Sequence, residues 1–241
     1  MHQLMSCLAL PIFVLALVAC SDDGGGGGSD WLSIPCPEDT VGFEGPNGDL
    51  CIDALEVTND AFAAFLTENG NTCGGNQECM HVDEPGSHIS QQGNAFVVAD
   101  GYGALPVVQV SFHGAEAFCT AASAFLCPDA MWVAACKGPS GSAYPYGGAF
   151  DGAACNGGDA AEGAPVAVGA YASCEGGAVD LFDMSGNVYE WTDACADSAC
   201  LIRGGAFDAP SDNLTCDASH EMDGPSGHRE DLGLRCCASP L

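Results

Sequence analysis

The sequence predicts an α+β fold in which three short helices and many short strands are joined by irregular loops. Three segments carry helix-capping residues followed by apolar residues at helical spacing, and they make up a small part of the 241 residues. Elsewhere, short apolar runs alternate with proline and glycine turn signals, which is typical of strands and loops. The glycine-rich stretch from 138 to 178 shows neither pattern, so we expect it to be irregular and held by disulfides or ions.

The N-terminal part of the chain has the features of a lipoprotein targeting segment. Its apolar run is too short for a membrane span and ends in Leu-Val-Ala-Cys at residues 17–20, which is similar to a bacterial lipobox, although no Lys or Arg precedes it. We expect residues 1–19 to be a signal peptide and Cys20 to be the lipidated residue. Residues 20–30, with five consecutive glycines, would form a flexible tether. A domain at 31–241 would then be anchored on the outer side of a membrane in the bacterial cell envelope.

The chain is strongly acidic, with a formal net charge of −29 from 33 acidic residues against four Lys and Arg. A surface of this kind repels nucleic acid, so nucleic-acid binding is excluded. It also repels anionic lipid and attracts divalent cations. Solubility in salty surroundings explains the same composition without any ligand.

The first part of the domain predicts strands followed by a helix. Between residues 31 and 53, turn signals separate short apolar pieces, which favours strands and loops. Thr58 or Asn59 is suited to cap a helix with Ala61, Phe62, Phe65 and Leu66 on its apolar face. Residues 69–94 are polar and are expected to form loop. The Cys73, Cys79, His81 and His88 found there fit no familiar zinc spacing, and an oxidised Cys73–Cys79 pair would leave no thiolate for the metal.

Two further helices are predicted near the middle of the chain. Ser111 is suited to cap the first, and its buried face would carry Ala115, Phe118, Cys119 and Ala122. Pro128 suits the first turn of the second, with Asp129 near its positive end. The core-facing residues of that helix would be Met131, Trp132, Ala135 and Cys136.

The stretch from Asp183 to Thr192 combines carboxylates, a tight turn and aromatic residues. Ser185-Gly186-Asn187 forces a turn that tolerates positive φ, and this turn can direct backbone carbonyls towards Asp183 and Glu190. Oxygen ligands of this kind are what Ca²⁺ prefers. The alternative is a surface turn leading into a strand, with Trp191 in the core.

Seven blocks of sequence resemble, in the same order, the signatures of the formylglycine-generating enzyme (sulfatase-modifying factor) family. The Asp183–Trp191 block resembles the family's D-M-x-G-N-V-x-E-W signature. The other six lie at residues 51–59 (Cys-Ile-Asp…Glu-Val-Thr-Asn), 106–119, 126–132, 144–147 (Tyr-Pro-Tyr-Gly), 203–205 (Arg-Gly-Gly) and 233–236 (Gly-Leu-Arg-Cys). The resemblance implies the irregular, C-type-lectin-like fold of this family.

The cysteines fit an oxidising compartment. Removing Cys7 with the signal peptide and lipidating Cys20 leaves 16 − 2 = 14 cysteines, enough for seven disulfides. The resemblance implies the pairs Cys119–Cys236 and Cys136–Cys216. Short local bridges are expected for Cys36–Cys51, Cys73–Cys79 and Cys195–Cys200, and the pairing of Cys127, Cys155, Cys174 and Cys237 stays open.

The resemblance also implies structural calcium. One site would use the side chains of Asp183 and Glu190 with the carbonyls of Gly186 and Val188. A second site would lie near Asn156, Gly157 and Asp159. Arg203 and Arg235, which lie in family blocks, are expected to pair with carboxylates in the interior rather than to bind a ligand.

The family's catalytic residues do not carry over to this chain. Active members hold copper with two cysteines, five residues apart, that follow the Arg-Gly-Gly block and precede a structural cysteine, here Cys216. Residues 206–215 contain no cysteine, and Asp208 or Asp212 cannot replace soft sulfur ligands for Cu(I). No copper and no catalytic residues are therefore expected. His220 and His228, with Glu221 between them, suggest a non-haem iron site, but no third ligand is fixed, and solvated loop residues are the alternative.

These observations favour a non-catalytic binding or structural module that is anchored to the cell envelope and contacts an unknown protein or glycan. The alternative is a metal-dependent oxidase or a sulfoxide-synthase-like enzyme of the same family. A thiol- or histidine-dependent metal centre would distinguish the two.

Overall fold

Three short helices and three small sheets form the regular part of the molecule, in a computed structural model that describes residues 34–196, 199–222 and 224–241. The helices are α1 (Asn59–Asn69), α2 (Phe112–Ala121) and α3 (Asp129–Lys137). The strands are β1 (Thr40–Gly45), β2 (Gly48–Asp53), β3 (Ile89–Gln92), β4 (Ala95–Val98), β5 (Phe125–Leu126), β6 (Tyr189–Ala196), β7 (Ala199–Arg203), β8 (His220–Met222), β9 (Leu232–Gly233) and β10 (Cys236–Ala238). The predicted α+β class is confirmed.

The expected signal peptide, the lipidation site at Cys20 and the glycine tether lie outside the described residues. Within the part of the chain that the structure describes, no helix has both the length and the apolar character needed to cross a bilayer.

The sheets bring the two ends of the domain together. The first has the strand order β1-β2-β10-β5, so the C-terminal strand lies between the N-terminal hairpin and β5. Cys237 pairs with Ile52 on one side and with Phe125 on the other. The second sheet is the β3-β4 hairpin. The third has the order β8-β7-β6-β9, in which β6 and β9 are parallel.

The helices begin where their capping residues predicted. The Thr58 side chain accepts a hydrogen bond from the Ala61 amide at 3.3 Å. The Ser111 side chain accepts one from the Gly114 amide at 3.1 Å. Pro128 directly precedes α3, whose first residue is Asp129. Local capping chemistry therefore identified all three start positions.

Three details differ from the sequence expectations. Ala61 is exposed and Ala63 is buried in its place, because the buried stripe of α1 follows Phe62 and Leu66 at a spacing of four. Ala122 is exposed because α2 has already ended at Ala121. The polar stretch expected to be loop includes strand β3, where Ile89 alone is buried and the alternation was too short to detect.

The interior holds two main apolar clusters. The larger contains Trp191, whose indole N–H donates to the Val110 carbonyl at 2.9 Å. The smaller contains Trp132 with Phe43 and Met184. Both tryptophans are fully buried. The stretch from 138 to 178 contains only two short 3₁₀ turns among its regular elements, as expected.

Seven disulfides join the fourteen cysteines of the described residues. The five pairs expected from sequence are all bonded. The four cysteines left open form Cys127–Cys237 and Cys155–Cys174. Cys119–Cys236 and Cys127–Cys237 both tie β10 to distant parts of the chain, and Cys155–Cys174 closes part of the irregular stretch.

Candidate functional site

The turn at residues 183–187 lies in the interior rather than on the surface, but it leads into strand β6 with Trp191 in the core, as the alternative expected. Asp183, Gly186 and Asn187 all have φ between 59° and 79°. A Cβ at Gly186 would lie 2.3 Å from the Asn156 carbonyl oxygen. The Asn187 amide donates to that same carbonyl at 2.7 Å. Glycine is therefore required where this turn approaches the backbone of the irregular stretch.

A buried ion pair follows directly on the turn. Both oxygens of Glu190 accept hydrogen bonds from the Arg235 guanidinium at 2.7–2.9 Å. The Trp132 indole N–H also donates to Glu190, at 2.6 Å. The remaining Arg235 donors reach the carbonyls of Asp53 and Phe182 at 2.9 Å. Both charged side chains have no exposure, so this network joins α3, β2 and the C-terminal block in the interior.

More negative than positive charge surrounds Arg235. Glu56 is 2% exposed and Asp183 is 3% exposed. Burial, reinforced by the charges of Asp183 and Glu190, raises the pKa of Glu56 well above its usual value. Burial also raises the pKa of Asp183, while the Gly169 amide and Arg235 oppose the rise. Several buried carboxyl groups therefore share one guanidinium, and burial favours the protonated forms of Glu56 and Asp183.

Two buried asparagines connect this cluster to the irregular stretch. Asn187 donates to Glu56 at 2.6 Å and accepts from the Val166 amide at 2.9 Å. Asn156 donates to the Asn187 side-chain oxygen at 3.1 Å and to the Ala164 carbonyl at 3.0 Å. The Asn156 Oδ1 atom is buried without a hydrogen-bond partner. A buried acceptor of this kind is costly unless an ion or water completes it.

All of the residues expected to hold calcium are buried except Asp159. Asp183, Gly186, Val188 and Glu190 are all buried around the turn, and one Asp183 oxygen accepts from the Gly169 amide at 2.6 Å. Glu190 can ligate a cation only by sharing oxygens that already accept from Arg235. Asn156 and Gly157 are buried, whereas Asp159 is exposed. The described residues contain no group of three His, Cys, Asp or Glu side chains placed for a metal, so carbonyl and amide oxygens would supply most ligands.

Residues 206–215 correspond to the loop that carries the copper-binding cysteines in the family's active members, and here the loop packs through apolar side chains. Ala209 and Leu214 pack with Tyr144 in a small buried cluster, and the Tyr144 hydroxyl donates to the Ser211 carbonyl at 3.3 Å. Cys216, at the end of the loop, is bonded to Cys136. Every cysteine of the described residues is in a disulfide, so this part of the chain offers no thiolate.

The histidines considered as metal ligands have other neighbours. His220 lies edge-on to the Tyr189 ring at 5.0 Å. His228 lies against His81, with ring centroids 3.3 Å apart, and His88 stacks on Tyr102. The two histidines have different ring neighbours, and neither belongs to a group of three metal-ligating side chains among the described residues, so the iron hypothesis gains no support.

The two arginines of the family blocks pair with carboxylates, as expected. Arg203 forms a bidentate pair with Asp129 at 2.6–2.7 Å, and Arg235 pairs with Glu190. The structure adds Glu56, Asn187 and Asp53 to the site. Glu56 was visible in the sequence as an acidic residue directly before Val57, but nothing local indicated that its side chain points inward.

Burial raises the pKa of Asp53 from 3.8 to about 6, although its carboxylate accepts from the Cys236 amide at 2.8 Å. A raised pKa stabilises the fold fully below pH 3.8, and this stabilisation is lost as the pH rises through about 6. We expect Asp53→Asn, which keeps an acceptor, to gain unfolding free energy relative to the native chain between pH 4 and 7, by up to about 3 kcal/mol. Urea denaturation followed by tryptophan fluorescence at several pH values measures this. A difference that stays constant with pH would contradict it.

Three comparisons place the fold among known proteins. A family model described as a sulfatase-modifying factor enzyme 1-like domain matches residues 40–240. The serine/threonine-protein kinase Pkn1 of Chlamydia trachomatis is 29% identical over 210 residues, which is 77% of this chain and 32% of that protein. The chain thus spans about a third of the length of the curated relatives it matches.

Among solved structures, PvdO from Pseudomonas aeruginosa matches with a TM-score of 0.61 and 18% identity, covering 80% of this chain and 81% of that one. Treponema denticola variable protein 1 matches with a TM-score of 0.60 and 17% identity, over 80% and 85% of the two chains. At this level of identity the structures establish the shared fold, which is the C-type-lectin-like fold implied by the sequence blocks.

Proposed function

The chain belongs to the sulfatase-modifying factor family, and we propose that it serves in the cell envelope as a non-catalytic binding or structural module. The observation that carries this proposal is the state of the cysteines. Residues 206–215 contain none, and all fourteen cysteines of the described residues are in disulfides. A copper centre built on two thiolates has no ligands in this part of the chain.

A free-thiol count on the full chain tests this proposal. The mature protein is denatured without reductant, alkylated and weighed intact, and we expect no alkylated cysteine in the peptides from residue 34 onwards. Incubation with Cu(I), dioxygen and a cysteine-containing peptide is expected to give only the peptide disulfide that copper and dioxygen form without protein, and no formylglycine. Two free cysteines, or a peptide product with formylglycine, would overturn the proposal.

Calcium is proposed as a structural ion of this module. Its support is the unpartnered Asn156 Oδ1 atom, together with the excess of buried carboxylate around Arg235. Asn156 and Gly157 would contribute to one site, with Asp159 moving inward to complete it. Asp183, Gly186 and Val188 would contribute to the other, and Glu190 would share an oxygen with Arg235. A bound ion would lower the pKa values of these buried carboxyl groups and favour their ionised forms as ligands.

Calorimetry on chelator-treated protein tests the calcium proposal. We expect binding in the millimolar range or tighter, and a higher melting temperature with Ca²⁺ than without it. Asn156→Ala should weaken binding at one site and Asp183→Ala at the other. Asp151→Ala, at an exposed position of the same irregular stretch, is the matched control. No heat of binding, or three variants that all bind as the native chain does, would reject it.

Lipid anchoring through Cys20 is proposed from the lipobox-like sequence and is compatible with a disulfide-rich domain outside the cytoplasm. Expression in a bacterium with labelled fatty acid is expected to label the native chain and not Cys20→Ser. A native chain that stays unlabelled, with Met1 retained, would reject the anchor.

The partner of the module is proposed to be a protein surface or a glycan that tolerates negative charge. All four Lys and Arg residues are already paired with carboxylates: Lys137–Asp217, Arg203–Asp129, Arg229–Asp231 and Arg235–Glu190. The other acidic residues outnumber them, so a basic protein surface or a neutral glycan would be favoured over an anionic one. Binding to a basic protein should weaken as salt increases, whereas binding to a neutral glycan should not.

A further inference from the structure

The Cys73–Cys79 disulfide closes a short loop at the edge of a surface groove. Residues 74–78 of this loop are all exposed. The Cys73 amide donates to the Gln77 carbonyl at 2.7 Å, so the backbone also holds the turn. The two cysteines are six positions apart, against 117 for Cys119–Cys236. A disulfide that closes so short a loop removes little entropy from the unfolded chain. Its reduction therefore lowers the free energy of unfolding less than reduction of a long-range disulfide.

The groove gives access to one of the two sulfurs. A cavity of about 560 Å³ lies between the end of α1 and one face of α2, and its lining includes Cys73, Gly74 and His113. Cys73 is half-buried, whereas Cys79 has no exposure. A thiol that enters the groove can therefore attack the sulfur of Cys73, and Cys79 is the leaving group.

The backbone of Cys79 lies against the N-terminal end of α2. Its carbonyl accepts from the amide and hydroxyl of Ser111, the residue that caps α2, at 2.9 and 3.1 Å. A Cβ at Gly114 would lie 1.9 Å from the same carbonyl oxygen, so the helix start packs directly against Cys79. The positive end of a helix lowers the pKa of a nearby thiol. Once protonated, the released thiol has the Gly70 carbonyl 3.8 Å away as an acceptor.

The His113 side chain borders the Cys73–Cys79 loop. It lies in the first turn of α2 and lines the groove beside Gly74, where a Cβ would be 2.8 Å from its Nδ1 atom. The same nitrogen is 3.5 Å from a Glu116 oxygen. His113 therefore borders the path of an incoming thiol and acts as a positioning group.

We propose that Cys73–Cys79 is an exchangeable disulfide that oxidises a dithiol of a protein partner docked in the groove. A partner thiolate attacks Cys73 Sγ, the bond between the two sulfurs breaks, and Cys79 leaves as a thiolate that takes a proton. The second partner thiolate attacks the partner sulfur of the mixed disulfide and releases Cys73. Two electrons and two protons pass from the dithiol to the two cysteines, and the partner leaves as a disulfide.

The partner's chemistry follows from the charge around the groove. Glu116 lines it and Glu78 lies in the exposed loop. These carboxylates repel an anionic thiol such as glutathione and favour a neutral or basic peptide segment that carries both cysteines.

Timed reduction of the intact mature chain tests the proposal. Aliquots treated with limiting dithiothreitol, or with a lysine-flanked Cys-Gly-Pro-Cys peptide, are quenched in acid, alkylated and mapped by peptide mass. We expect Cys73 and Cys79 to be labelled about tenfold faster than Cys195 and Cys200. The Cys195–Cys200 bridge is an internal control, because it spans only five positions and has one half-buried cysteine, but lies in the β6-β7 hairpin rather than at the start of a helix.

Three variants test whether the groove promotes exchange at Cys73–Cys79 or whether this disulfide reacts only because it is exposed. Ala121→Trp narrows the groove from an exposed position and should slow the peptide more than dithiothreitol. His113→Gln should slow the labelling of Cys73 and Cys79 and leave the labelling of Cys195 and Cys200 unchanged. The double variant Cys73→Ser, Cys79→Ser should remain folded by circular dichroism and lose only the fast labelling. Equal rates for the two short bridges, or a mixed disulfide that maps to Cys79, would overturn the proposal.

Discussion

Replacement of Arg235 by methionine is expected to lower the free energy of unfolding by about 3–5 kcal/mol, because it leaves Glu190 buried without a cation. Neither side chain of this pair is exposed, and Glu56 and Asp183 add negative charge to the same interior. The loss should grow with pH, since the pKa values of Glu56 and Asp183 are raised and these groups ionise as the pH increases. Urea denaturation at pH 5 and pH 8 measures both effects.

Two controls belong with this experiment. Lys137→Met removes a pair whose carboxylate, on Asp217, is 68% exposed, and it should cost about 1 kcal/mol or less. The double variant Arg235→Met, Glu190→Leu should recover part of the loss, because no unpaired charge remains at that position. Equal losses for Lys137→Met and Arg235→Met would show that the buried charge is not the cause.

Replacement of Gly186 by alanine is expected to cost about 3 kcal/mol or more. The φ of 79° disfavours any side chain by about 1–2 kcal/mol. The new Cβ would also lie 2.3 Å from the Asn156 carbonyl oxygen, and neither backbone can move without breaking the Asn187–Asn156 hydrogen bond. Thermal unfolding measures the loss of stability, and the calorimetric calcium titration measures whether the displaced turn still binds the ion.

Gly93→Ala is the matched control for this substitution. Gly93 has a φ of 66°, and an added Cβ would have no neighbour within 4 Å. It should therefore show the backbone cost alone, about 1–2 kcal/mol. If the two alanine variants lose the same stability, the contact with Asn156 adds nothing to the cost at Gly186, and the positive φ alone explains it.

Local signals were sufficient for the features that depend on neighbouring residues. Thr58, Ser111 and Pro128 marked the helix starts because capping acts within one turn of the chain. The sequence blocks identified the family and its fold, and with it Cys119–Cys236, whose partners are 117 positions apart. The three pairs with separations of 15 or less needed only proximity along the chain.

The sequence by itself therefore determined the fold class, the family, the helix starts and the absence of cysteine from residues 206–215. Only the tertiary structure decided that Glu190 pairs with Arg235 and Trp132, that Glu56 points inward, and that the Asn156 Oδ1 atom lacks a partner. The physical reason is that hydrogen bonds and buried charges depend on which distant segments meet, whereas caps and turns depend on adjacent residues. Glu56 and Val188 are hydrogen-bonded although 132 positions separate them, and no local pattern encodes that contact.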